Sequence, residues 1–139
     1  MLHHITLRVS NLDRSKKFFL AALTPLGYKL FVEKPNSAGF GQADIEGNRD
    51  FWIKSGEVGV LKSFSCLAFT ASNKEQVTDF HKAALAAGGK DNGAPGYRPQ
   101  YHPGYYAAFV VDPDGYSIEA VFDDLEEMKR VGFIAPHDL

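Results

Sequence analysis

The chain has 139 residues, 45% of them hydrophobic and 23% charged, which is the composition of one soluble globular domain and excludes disordered and collagen-like readings. Fifteen Lys and Arg stand against seventeen Asp and Glu, a formal charge of -2, so no excess positive field exists to gather phosphate backbones or anionic lipids, and neither nucleic acid nor a membrane is expected as a partner. The single Cys cannot form an internal disulfide, no apolar run approaches bilayer length, and the first residues lack a basic-then-apolar leader pattern, so a cytoplasmic location is expected.

The first predicted element is a strand in which Ile5, Leu7 and Val9 alternate with Thr6 and Arg8. Ser10-Asn11 is a helix N-cap signal, and about a dozen residues of helical pattern follow before Gly27 stops them. Short β-rich stretches come next, at Tyr28 to Glu33, Gly39 to Ala43 and Phe51 to Lys54. The opening then recurs. Sliding the chain by 62 places His4 to Gly27 on Cys66 to Gly89, with seven identities in 24 pairs, among them Ser10/Ser72, Asn11/Asn73, Phe18/Phe80 and Gly27/Gly89; average residue usage would give roughly one or two. Leu67, Phe69 and Ala71 repeat the strand, Ser72-Asn73 the cap, and Gly89 the stop.

Gly88 to Gly104 is rich in Gly and Pro, and is predicted to hold one short strand near Gly89 to Asn92 and then a loop covering a site. Strands at Tyr106 to Val111 and Tyr116 to Phe122 are joined by Asp112-Pro113-Asp114-Gly115, where Pro presets φ and Gly takes a positive φ. Asp123 to Val131 begins acidic and ends in Lys129-Arg130, the charge order a terminal helix prefers, and Gly132 to Leu139 is expected to be a loose tail. The fold predicted is a single α+β domain over 1–139: two β-α-β-β-β modules at about 1–58 and 62–122, then a helix and tail over 123–139. Neither module has the apolar surface to fold alone, so the two curved sheets are expected to pair around a shared interior in which a ligand would sit.

Several residues stand out on that scaffold. Glu119 sits in the mostly apolar strand Ile118-Glu119-Ala120-Val121-Phe122, where an unpartnered charge is costly. His4 shares a strand face with Thr6 and Arg8, which suits a cavity interior or a wet outer face equally, and His3 alternates onto the other face. Cys66 falls opposite His4 in the repeat; a free Cys is commonly a small buried hydrophobe, and no basic neighbour in sequence marks it as a nucleophile. Tyr97 to Tyr106 gathers aromatics, Arg98 and His102, a set suited to line a pocket: Arg98, Tyr105 and Tyr106 as contacts, and His102 as general base or replacement ligand. Trp52 reads as pocket wall or core.

Three stretches resemble the vicinal oxygen chelate superfamily, the paired β-α-β-β-β proteins that include glyoxalase I, extradiol dioxygenases, and fosfomycin and bleomycin resistance proteins. They are His4 to Ser15, Cys66-Leu67-Ala68-Phe69, and Asp112-Pro113-Asp114-Gly115-Tyr116-Ser117-Ile118-Glu119. The resemblance implies a glyoxalase-like curved sheet around a cavity, a small-molecule substrate, a homodimer, and a divalent metal held by His4, Cys66 and Glu119. It implies catalytic roles for Glu119 and His102 and substrate contacts from Trp52, Arg98, Tyr105 and Tyr106. Cys66 stands where metal-binding members usually have His; a thiolate favours zinc, ahead of nickel, manganese or iron, and argues against ferrous oxygenase chemistry. Glyoxalase I resembles a four-ligand arrangement, and its remaining carboxylate would fall here on Phe51 or Trp52, which disfavours glyoxalase I proper. The activity implied is bidentate chelation of substrate oxygens on the metal, in a lyase, isomerase or dioxygenase-like reaction. The alternative is a metal-free sequestering protein of the bleomycin-resistance kind.

Overall fold

The computed structural model describes residues 1–58 and 66–134. Strand β1 (Ile5–Val9) buries Leu7 and Val9 and turns Thr6 and Arg8 outward, as its alternation requires. Asn11 caps α1 (Leu12–Leu23) by accepting the backbone N–H of Arg14 at 3.1 Å. A 3₁₀ turn at Thr24–Leu26 ends the helix at Gly27, whose φ of +86° lies in the left-handed region that favours glycine. Strands β2 (Tyr28–Lys34), β3 (Ser37–Gln42) and β4 (Phe51–Ser55) then form a sheet in the order β1-β4-β3-β2, with β1 parallel to β4 and the other pairs antiparallel.

The second module repeats this order. After β5 (Leu67–Thr70), Asn73 caps α2 (Lys74–Ala86) by accepting the N–H of Gln76 at 2.8 Å. Strands β6 (Lys90–Tyr97), β7 (Tyr105–Val111) and β8 (Ser117–Asp123) make the sheet β5-β8-β7-β6 with the same parallel and antiparallel pairing. A short helix α3 (Leu125–Arg130) follows, with Asp124 as its cap and Lys129 and Arg130 in its last turn. The predicted module boundary between 58 and 62 and the tail beyond 134 lie outside the described residues.

The largest departure from the expected elements is β6, which runs eight residues through Gly93, Pro95 and Gly96 instead of ending near Asn92. Two register shifts, between Asp91 and Gly93 and between Gly93 and Gly96, absorb those residues as bulges. Pro95 is tolerated because β6 is the edge of its sheet and owes no hydrogen bond on its outer side.

Both modules contribute to one hydrophobic core. Helices α1 and α2 pack on each other, and Phe18, Phe19, Phe40, Phe51, Phe80, Ile53 and Ile118 are among its fully buried side chains. Phe69 of β5 meets Phe51 of β4 edge-on at 5.2 Å and Tyr28 of β2 at 5.5 Å, so the aromatic seam crosses the module boundary. A polar latch crosses it too: the Asp114 carboxylate accepts from Ser10 Oγ at 2.5 Å and from Arg14 at 3.1 Å, and Tyr116 donates its hydroxyl to the Arg8 carbonyl at 2.6 Å. The interior the modules share within one chain is therefore this packed core. Each sheet also keeps an open face with its own cavity, and a third, smaller cavity of about 260 Å³ lies where the modules adjoin, bordered by His4, Tyr28 and Asp50 from the first and by Leu67 and Ala68 from the second.

Candidate functional site

The open face of the second sheet carries a cavity of about 440 Å³ lined by Cys66, Asn92, Arg98, Tyr105, Phe109 and Glu119 among others. Alternation along β8 places Ile118 and Ala120 in the core and Glu119 between them on the opposite face, where β5 and β7 flank it and leave it only 5% exposed. Both carboxylate oxygens have partners. The Tyr105 hydroxyl donates to Oε1, and the Cys66 thiol lies 3.5 Å from Oε2. Burial, and then the Glu119 charge, outweigh a bond to Ser117 and push the Cys66 thiol up to about 11. Burial and the same carboxylate raise the Tyr105 phenol above its usual value. Both donors therefore hold their protons at neutral pH, and among the described residues no cation forms an ion pair with Glu119.

The open face of the first sheet carries a wider cavity of about 800 Å³, lined by His3, His4, Thr6, Arg49, Trp52 and Lys54 among others. The repeat pairs Thr6 with Ala68; since Thr6 faces Trp52 and Ala68 faces Glu119 in their parallel ladders, Trp52 occupies the position that Glu119 has in the second module. Its indole donates to the Arg49 carbonyl at 3.0 Å and lies flat over Gly39, where a Cβ would come within 2.8 Å of the ring. That position on β4 therefore offers an aromatic wall and no ligand. His4 precedes β1, is exposed, and has Nδ1 2.9 Å from Nδ1 of His3. It also borders the smaller cavity between the modules, where Leu67 and Ala68 of β5 lie across from Tyr28 and Asp50, which are joined by a 3.0 Å hydrogen bond.

Of the residues singled out in the sequence, Cys66, Glu119, Arg98 and Tyr105 converge on the second-sheet cavity, while His4 and Trp52 face the first. Tyr106 does neither. Its place beside Tyr105 on β7 turns it toward the core side, where it packs edge-on to Tyr97 at 5.1 Å and under the Lys74 ammonium. His102 sits behind Tyr105, ring to ring at 5.1 Å, with Nδ1 2.8 Å from the Pro103 carbonyl, Nε2 3.5 Å from Asp123 and Phe133 stacked on it. It touches the cavity only through Tyr105 and is not among its lining residues. Sequence reasoning missed Phe109 and Asn92. Phe109 was within reach, since it shares a strand face with Tyr105; Asn92 was not, because the bulged register of β6 decides where it points.

Residues 1–120 match the family model of the Glyoxalase/Bleomycin resistance protein/Dioxygenase superfamily. The chain belongs to that superfamily. A glyoxalase/bleomycin resistance protein from Albidiferax ferrireducens T118 is 30% identical, with 86% of this chain and 95% of that one aligned at a TM-score of 0.72. The genomically encoded fosfomycin resistance protein of Listeria monocytogenes, a variant complexed with Mn(II) and 1S,2S-dihydroxypropylphosphonic acid, shares the fold at 20% identity, covering 94% and 97% of the two chains at a TM-score of 0.68. Another superfamily protein, from Burkholderia phytofirmans PsJN, aligns at 19% identity over 88% and 98% with a TM-score of 0.66. Among curated proteins no sequence matches.

As a member of the glyoxalase superfamily, the chain offers a thiol and a carboxylate side by side, a donor pair that suits zinc or a similar divalent metal once the thiol is deprotonated. Among the described residues, no group of three or more His, Cys, Asp or Glu gathers within one chain to complete a metal site. The third expected ligand, His4, is on the other open face.

Proposed function

We propose that this protein is a metal-dependent enzyme of the glyoxalase superfamily acting on a small organic substrate, and that it works as a homodimer. The observation that carries the reading is the division of the ligand set: Cys66 and Glu119 stand 3.5 Å apart in one open cavity while His4 stands in another. Two copies related by a twofold axis would lay the first-sheet face of each over the second-sheet face of the other, so that His4 of one protomer meets Cys66 and Glu119 of its partner. A C₂ interface would repeat this contact and give two equal sites. Trp52 would then wall the substrate from the side opposite Glu119.

A divalent metal held there would supply a Lewis acid for paired substrate oxygens. The chain's own residues do the rest. Glu119 is the buried base or ligand, Tyr105 holds a proton against its Oε1, and Phe109 and Trp52 exclude water. The absence of a carboxylate at Trp52 separates this site from the four-ligand arrangement of glyoxalase I. A specific observation favours a second reading: Glu119 already has a donor on each oxygen, as a metal-free binding protein would require.

Calorimetric titration of zinc, nickel and manganese into chelator-treated protein separates the two. The enzyme reading expects tight 1:1 binding in the parent, with a loss of at least about a hundredfold in both His4→Ala and Glu119→Gln, and a solution mass twice that of the 15.3 kDa chain. Absence of metal binding in the parent promotes the metal-free reading.

A further inference from the structure

The guanidinium of Arg98 is held in the second-sheet cavity by more features than a surface arginine needs. Its backbone is fixed first, the N–H donating to the Tyr105 carbonyl at 2.7 Å and the carbonyl accepting from Tyr101 at 3.0 Å. The side chain then folds back over the bulged part of β6, where Nη1 donates to the Gly96 carbonyl at 2.8 Å and Nη2 to the Ala94 carbonyl at 2.6 Å. Two residues of β6 without side chains leave it uncrowded there. A Cβ on Gly96 would come within 3.1 Å of Nη1, and one on Gly93 within 3.2 Å of Nη2 and 3.0 Å of the Phe109 ring. The guanidinium also lies over that ring at 5.4 Å from its centroid.

This pinning leaves the group charged, half-buried and short of an anion. None of the ion pairs among the described residues involves Arg98, and Glu119, which lines the same cavity, is not within ion-pair distance of it. The two carbonyls accept two of its five N–H donors, and a planar fork with donors to spare is the shape that recognises an oxyanion in bidentate fashion. A cavity of about 440 Å³ with Phe109, Tyr101 and Tyr105 in its walls has room for an organic body attached to that oxyanion.

We propose that Arg98 is the anion-recognition residue of this cavity and that the substrate is a small organic oxyanion, bound by its charged group at Arg98 with its reacting part turned toward Glu119. The β6 bulges, with Gly93 and Gly96, are the device that makes this arginine rigid. The inference rests on the second-sheet cavity being the ligand site, as proposed above, and adds the class of ligand it takes.

The test uses chelator-treated full-length protein, titrated calorimetrically with benzoate, phenylphosphate and the neutral isostere benzamide. Binding of at least one anion, roughly ten- to a hundredfold tighter than benzamide and weakened by salt, is expected from charge-assisted hydrogen bonds; benzoate against phenylphosphate tells a carboxylate site from a phosphate site. Arg98→Gln should abolish the preference. Gly96→Ala, at a position with ordinary φ, keeps the charge but crowds Nη1 and shifts the fork by a few tenths of an ångström, and should weaken the anions more than benzamide. Equal binding of anions and benzamide by the parent, no anion binding at millimolar concentration, or full anion preference in Arg98→Gln would overturn the proposal. If Arg98→Gln does not fold, undiminished anion affinity in Gly96→Ala overturns it instead. Because the metal is removed throughout, a failure here leaves the metal titrations standing, and a failure of those leaves this result standing.

Discussion

The two modules share a scaffold and differ in what they display. On the core side the equivalent positions agree in character: Phe51 faces Ile5 in one parallel ladder, Ile118 faces Leu67 in the other, and both Phe51 and Ile118 are buried. On the open side they diverge, His4 against Cys66 and Trp52 against Glu119. The core of a duplicated fold is constrained by close packing, in which a single methylene is felt, whereas the open face only has to avoid stranding a polar group. Divergence of function is therefore concentrated on one side of each sheet, and it leaves the first module with an aromatic wall and the second with a proton-bearing, carboxylate-centred pocket.

The largest effects should come from the side on which the modules agree. Phe51→Ala and Ile118→Ala are each expected to cost about 3–5 and 2–5 kcal/mol respectively, read from urea unfolding monitored by circular dichroism. Both belong to one core, so both should lower the midpoint of a single transition; two separate transitions, or a cost below about 1 kcal/mol for either, would break the picture of two modules sharing one interior.

A second effect belongs to the second module alone. Burial pushes the Asp112 carboxyl up to about 6, against the opposing effect of its bonds from the backbone N–H groups of Tyr116 and Asp114. The folded state thus binds this proton more tightly than the unfolded chain does. The contribution is largest below the ordinary carboxylate value and is lost as pH rises from about 4 to about 6, a matter of about 1–3 kcal/mol. Asp112→Asn keeps an acceptor for the two N–H groups and should flatten that part of the stability profile, so that the variant gains on the parent between about pH 4 and 6. A profile with the same slope in parent and variant would remove Asp112 from the account.

The smallest effect sharpens the contrast between His4 and Cys66. Burial is the main cause of the raised Cys66 thiol and the Glu119 charge a smaller one, so removing that charge should lower the thiol part of the way from about 11. Glu119→Gln is therefore expected to speed iodoacetamide alkylation at pH 8 by up to about tenfold, while Trp52→Phe, on the other sheet, leaves the rate unchanged. A Glu119→Gln rate no faster than the parent's would show that burial alone raises the thiol.

Much of this was legible in the sequence because its signals are local. The Ser-Asn caps, the Gly27 stop and the alternation of β1 and β5 depend on neighbours within a few residues, and they marked both modules. So did the Asp112 to Gly115 turn. The lone carboxylate of Glu119 between apolar neighbours also announced itself, since such a group needs partners wherever it ends up. Choosing between Tyr105 and Tyr106 was harder. Alternation says that the two face opposite ways, but only the register with β8, which pairs Tyr105 with Asp123 and Tyr106 with Phe122, says which way each one faces.

The sequence by itself determined the two β-α-β-β-β modules, the residues of their cores and the carboxylate at the centre of the second sheet, because periodicity, capping and the cost of a buried charge act at short range. The tertiary structure alone decided how the modules meet. It packed α1 against α2 and joined the sheets through Phe69, which set His4 at the first-sheet face and the inter-module cavity, apart from the cavity of Cys66 and Glu119. It also decided that β6 would bulge at Gly93 and Gly96 and clasp Arg98, since carbonyls freed from a ladder and the space left by two missing side chains exist only once the strand has been paired.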